Sequence, residues 1–173
     1  MHELKSFVPL SGLIRPEWTQ GRNIMEVTKK MTNLLWPNDF SNCSEKALPH
    51  VRSLAKKYDA VVHMLYVAED IARHETWYGE FDSSHIDRVM DWQIKKARAY
   101  QKEFCNRHLE DCAAYTTHIE VGNPVKKILE FIEAKQVDMV VMCRRGKTGD
   151  FDMGSVALKV AARSPVPVVI APT

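Results

Sequence analysis

Short apolar runs separated by amphipathic helical stretches recur along this chain, and that alternation restricts the fold more than any other feature. Residues 31–36, 60–67, 116–121, 138–142 and 166–171 are rich in Val, Ile, Leu or Met, as strands buried on both faces are. Helical patterns fill the gaps. The first follows Pro37-Asn38-Asp39-Phe40, with Asn42 and Glu45 spaced as a capping box and Ala47, Leu48, Val51, Leu54 and Ala55 along one face. Pro49 lies inside that pattern and is expected to kink it. The second covers residues 84–112, with Ile86, Val89, Met90, Ile94, Ala97, Gln101 and Phe104 near one stripe. In the third, Asn123 serves as N-cap and Pro124 takes the first helical position, ahead of Val125, Ile128, Leu129 and Ile132 spaced for burial. The fourth begins near Gly154-Ser155, uses Val156, Val160 and Ala161, and stops at Pro165 and Pro167. The order β-α-β-α-β-α-β-α-β implies an α/β fold: a parallel sheet with helices on both faces.

Length and charge narrow the function classes. At 173 residues the chain has mass for one well-formed core and too little for two ordinary domains. Residues 1–28 fall outside the alternation, because Pro9, Gly12, Pro16 and Gly21 break any long helix while Leu10, Leu13, Ile14 and Trp18 offer apolar anchors. The expected organisation is an N-terminal arm, 1–28, and one domain, 29–173. Lys and Arg exceed Asp and Glu by only 24 to 22, so no sequence-wide basic field recruits nucleic acid. No apolar run approaches the roughly 20 residues that span a bilayer. Glu3, Arg15, Pro16 and Glu17 stand where a signal peptide needs an apolar stretch, so the expected location is the cytoplasm. Cys43, Cys105, Cys112 and Cys143 form no C-x-x-C pair and are read as reduced thiols.

Three segments carry a resemblance to a known family. They are Leu34-Leu35-Trp36-Pro37-Asn38-Asp39-Phe40-Ser41 with the Ser44-Glu45-Lys46-Ala47-Leu48 that follows, then Val121-Gly122-Asn123-Pro124 leading to Ile128, and then the stretch from Val140 to Gly149 with Gly154-Ser155-Val156 and Ser164-Pro165-Val166-Pro167-Val168. Together they resemble the universal stress protein family over residues 29–173. The resemblance implies a Rossmann-like, five-stranded parallel sheet in the order 3-2-1-4-5 and, in one branch of the family, an ATP site at the carboxyl ends of strands 1 and 4. Open α/β sheets bind ligands at that place in any case, where the strand order reverses. The candidate residues for a nucleotide are Asp39, Val67, Met142, Arg144, Gly146, Gly154, Ser155 and Val156, with Arg144 chosen for its charge at that switch point.

Each candidate has a second reading. Asp39 is placed to accept hydrogen bonds from a ribose hydroxyl, or equally to bond backbone amides of the turn before the helix. Val67 matches the position that packs on adenine, and would be core in any such fold. Gly154 and Ser155 open a helix whose free amides favour an anion, and Ser155 can also be its N-cap. Arg144, Arg145 and Lys147 put three positive charges at the switch point or, on the plainer reading, in a solvated loop. In the ATP-binding branch the phosphate loop reads glycine, two residues, glycine, nine residues, glycine. Here Cys143 replaces the first glycine and only seven residues separate Gly146 from Gly154. If position 143 needs a positive φ, a non-glycine residue there costs about 1 kcal/mol or more. Gly146-Lys147-Thr148 mimics the end of a Walker A loop, but the required earlier glycine falls at Val141, so that motif is rejected.

Cys105, His108 and Cys112 share one helix face, yet a closed zinc site needs a fourth ligand, and a semi-buried face is the preferred reading. His63 and His118 lie in strands and are read as satisfied core or rim histidines. No catalytic spacing argues for hydrolytic or redox chemistry, so slow ATP hydrolysis is the most that is expected. The expected function is a stress-response regulatory homodimer, paired through its fifth strand, that binds ATP or AMP weakly. Magnesium accompanies the nucleotide, and an unidentified regulatory protein is the partner. The alternative is a nucleotide-free interaction dimer in which the altered loop closes the pocket.

Overall fold

Leu34, Leu35 and Trp36 occupy the middle of strand β1 (Asn33–Pro37) with no exposed surface, because the pleat sends alternate side chains to opposite faces and helices cover both. The computed structural model describes residues 30–69, 83–108, 114–145 and 153–172, so the expected arm lies outside the described residues. After β1 come α1 (Asn42–Glu45), α2 (Leu48–Tyr58), β2 (Val61–Ala68), α3 (Ser83–His108), β3 (Tyr115–Val121), α4 (Pro124–Ala134), β4 (Met139–Cys143), α5 (Ser155–Arg163) and β5 (Val168–Ala171). The strands form one parallel sheet in the order β3-β2-β1-β4-β5. That is the expected architecture.

Two apolar layers flank the sheet. On one face Leu34, Trp36, Val62 and Met64 pack with Val51 and Ala55 of α2 and with Phe104 and Cys105 of α3. On the other, Leu35, Leu65, Val140 and Met142 pack with Ile128, Phe131 and Ile132 of α4 and with Ala157 and Val160 of α5. Each interior strand therefore divides its apolar side chains between two cores, which is why its sequence reads as a continuous apolar run rather than an alternating one.

Local chemistry moved several boundaries. Ser41, not Asn42, caps α1, its hydroxyl accepting the Ser44 amide at 3.1 Å. Glu45 accepts the Tyr100 hydroxyl from α3 instead of completing a capping box. The single helix expected here is two, and Pro49 sits in the first turn of α2, where its missing N–H removes no helical bond and no kink follows. Val89 is 44% exposed and turns away from the buried stripe of Ala97, Gln101 and Phe104 on α3; the Ile86 side chain and Cys112 lie outside the described residues. In α5 the buried pair is Ala157 and Val160, three apart, while Ala161 is exposed. Val166 is held in a turn by Ser164, whose hydroxyl accepts the Val166 amide at 3.2 Å, so β5 begins only at Val168. Asn123 caps α4 as expected, its side chain accepting the Lys126 amide at 3.1 Å.

Cys105 is buried with its sulfur 3.8 Å from that of Met64. Burial pushes its thiol up from the ordinary 9.0 to about 11. The unfolded chain thus ionises this thiol first as pH rises, so its contribution is complete below the unfolded value and is lost as pH climbs through the folded one. Urea midpoints measured across that alkaline window fall for the native chain. They fall less steeply for Cys105→Ala, which starts lower because it leaves a small cavity.

Candidate functional site

The carboxyl ends of β1 and β4 lie side by side at the point where strand order reverses, and a cleft of about 590 Å³ opens there. Its walls include Asp39, Val67, Met142, Arg144, Gly154, Ser155 and Val156. Gly146, with Lys147 and Thr148, lies outside the described residues. Asn38, Ser44, Tyr66, Cys143 and Arg145 line the cleft as well.

The floor is built by the turn after β1. Asn38 continues the ladder, its amide donating to the Leu65 carbonyl at 2.9 Å. Its side-chain oxygen accepts the Phe40 amide and the Ser44 hydroxyl, both at 2.7 Å. Asp39 accepts the Ser41 amide at 3.1 Å and the Ser41 hydroxyl at 2.6 Å, so its turn-forming role is present in the structure. Phe40 adopts φ 60°, a left-handed conformation that costs a bulky residue about 1–2 kcal/mol. The Asn38 bond to its amide and stacking on Tyr66, with ring centroids 4.5 Å apart, hold it there. Asn38 is 3% exposed and its Nδ2 has no hydrogen-bond partner among the described residues. Sequence reasoning passed over Asn38; the signal was a polar residue directly after a strand end on the ligand-binding edge of the sheet.

The opposite wall comes from β4 and α5. The Arg144 amide donates to the Ala171 carbonyl at 3.0 Å, and the Gly154 amide donates to the Arg144 carbonyl at 2.8 Å, which closes the base of the intervening loop. Gly154, not Ser155, is the N-cap of α5, so the first-turn amides receive no side-chain cap and the exposed Ser155 is the first helical residue. Arg145 places a buried Nε at the rim without a hydrogen-bond partner among the described residues. Together these groups make an electropositive end to a cleft that also presents the apolar side chains of Val67, Ile128, Met142 and Val156.

Cys143 ends β4 as an ordinary strand residue and is not among the positive-φ positions, so the strain conditional on a left-handed backbone does not arise. Burial raises its thiol pKa, partly opposed by the Arg145 and Arg144 amides, which keeps it protonated. At this position it behaves as a small apolar side chain.

His63 and His118 lie away from the cleft, toward the amino end of the sheet, with their ring nitrogens bonded to each other and to Asn33 and Thr116. Among the described residues no group of three or more His, Cys, Asp or Glu is arranged to hold a metal ion. No helix among them is long and apolar enough to cross a membrane.

Comparison with known proteins agrees with this architecture. The profile of the universal stress protein family matches residues 31–172. Universal stress protein MJ0531 of Methanocaldococcus jannaschii is 30% identical over 141 residues, which cover 78% of each chain. The solved structure of MJ0577 from the same organism superposes with a TM-score of 0.73 at 23% identity, over 83% of this chain and 97% of that one. That of a universal stress protein from Archaeoglobus fulgidus in complex with dAMP does so with a TM-score of 0.58 at 18% identity, over 81% and 96%. These two likenesses show the fold. A match that begins just before β1 and runs through β5, on a sheet with this strand order, means that the chain belongs to the universal stress protein family.

Proposed function

We propose that this chain is a regulatory homodimer of the stress response that binds an adenine nucleotide, ATP or AMP, weakly in the cleft at the ends of β1 and β4. The observation that carries this reading is the pairing of an apolar wall with an uncapped helix start and the buried Nε of Arg145. A flat base suits the first and a phosphate the second. The dAMP complex of the Archaeoglobus fulgidus relative lends it support. On this reading the nucleotide acts as a signal and not as a rapidly consumed substrate. Asp39, Val67, Met142, Arg144, Gly146, Gly154, Ser155 and Val156 are its proposed contacts, joined by Asn38.

Dimerisation is proposed through β5, an edge strand whose Val168, Val169 and Ile170 are only half-buried. An apolar edge without charged residues is a template for pairing with a second copy.

Calorimetry with ATP and AMP at millimolar concentration is expected to give weak binding heats that shrink as salt is raised, because an arginine–phosphate attraction near the surface is screened. Sedimentation at micromolar protein is expected to show a dimer. No heat with either nucleotide, together with no nucleotide released on denaturing protein purified from cells, would sink the nucleotide reading and leave the interaction dimer. A monomer would remove the β5 contact.

A further inference from the structure

We propose that His63 and His118, with Thr116, form a binding site for a divalent transition-metal ion of the zinc class, apart from the cleft and closer to the amino end of the sheet. The parallel register sets Thr116 beside His63. The pleat sends the two histidine side chains toward Phe131 of α4, with ring centroids 5.9 Å and 4.8 Å away. His63 Nδ1 and His118 Nε2 are 3.2 Å apart, and Thr116 Oγ1 lies 2.8 Å from the first and 3.0 Å from the second. Two imidazole nitrogens on one tetrahedral zinc, each bonded at about 2.0–2.1 Å, stand about 3.3 Å from each other. The triangle of donor atoms thus has the size of one face of a coordination shell.

Proton bookkeeping supports the same conclusion. His63 Nε2 faces the Asn33 side-chain oxygen at 3.1 Å, and the Asn33 amide nitrogen is itself engaged by Thr32 Oγ1 at 3.2 Å and the Gln136 carbonyl at 3.5 Å. His63 therefore carries its proton on Nε2 and turns a lone pair on Nδ1 into the triangle, the arrangement in which metal-ligating histidines are oriented by a carbonyl behind them. Only the Thr116 hydroxyl and a His118 Nε2–H can supply protons to three mutual contacts. With the His118 proton on Nδ1 instead, Nε2 also turns a lone pair inward, and a cation engages the three lone pairs together. Lys135 and Glu120 are the charged groups that act on the pair. Lys135 repels a cation and Glu120 attracts it. Thr116 is exposed on the edge strand β3 and His118 is half-buried, which gives an ion a route in and leaves water to complete its shell.

The test is zinc titration of the chelator-treated full chain by calorimetry, with ring-nitrogen NMR of the histidines. His118→Gln is expected to weaken the tightest zinc binding at least tenfold and Thr116→Val to weaken it less, with melting temperatures of the metal-free proteins close to the native value. In the native chain, zinc shifts the ring-nitrogen signals of His63 and His118 together. Equal zinc affinity in the native chain and His118→Gln overturns the proposal. If that variant does not fold, the native spectrum decides: signals of these two rings that stay fixed while other histidines respond, or no zinc uptake, overturn it as well.

Discussion

Trp36→Ala is expected to remove about 3–5 kcal/mol of stability, the range for truncating a large aromatic side chain in a packed core. Trp36 has no exposed surface and packs against Phe104 of α3, with ring centroids 5.5 Å apart. It belongs to the apolar layer that also holds Val51 and Ala55 of α2, so its removal opens a cavity beneath both helices. Its indole N–H is buried with no hydrogen-bond partner among the described residues, so the loss is one of packing and not of a hydrogen bond. Single domains are stable by about 5–15 kcal/mol, so this one change consumes much of the total. Urea denaturation followed by circular dichroism measures it. Trp36→Phe should restore most of the loss, because a ring remains against Phe104 and the unpartnered donor is gone. A decrease below about 1 kcal/mol for the alanine variant would contradict the packing described.

Ser155→Glu separates binding from folding. Ser155 is the exposed first residue of α5, where a carboxylate interacts favourably with the helix dipole by about 0.3–1 kcal/mol. Stability is therefore expected to hold or rise slightly. The same carboxylate sits at the cleft end where the proposed phosphate meets the α5 amides and Arg145, and it repels that phosphate. Adenine nucleotide affinity is expected to fall at least tenfold, or about 1.4 kcal/mol. Calorimetry and thermal melts on the same preparation read both effects. Undiminished binding in a folded Ser155→Glu would place the nucleotide elsewhere.

Much of the fold was legible because its signals are local. Continuous apolar runs marked strands buried on both faces, and Asn123-Pro124 marked the start of α4 from adjacent residues alone. Expectation and structure parted at helix ends, where several local caps compete, and where a neighbouring element claims a side chain. Glu45 was spaced to close a capping box, but Tyr100 of α3 claims it across 55 residues of sequence. Pro49 looked like a kink because the break between α1 and α2 carries no glycine or proline ahead of it to announce a new helix.

The candidate site divides in the same way. Asp39, Gly154 and Ser155 could be named from the resemblance and from the chemistry of strand ends and helix starts, each of which is set by a few adjacent residues. Whether Asn38 keeps an unpaired amide among the described residues, whether Cys143 is strained, and which residues meet across β2 and β3 could not be read that way. His63 and Thr116 face each other only because β2 and β3 pair in one register, reached through the long crossover that contains α3. The alternation of strands and helices was readable from the chain alone, apart from the split into α1 and α2, since the periods of 2 and 3.6 residues and the chemistry of helix ends are local properties. The tertiary structure alone decided the register between parallel strands, which is set by packing on both faces rather than by any turn, and with it which donors face a common point in space.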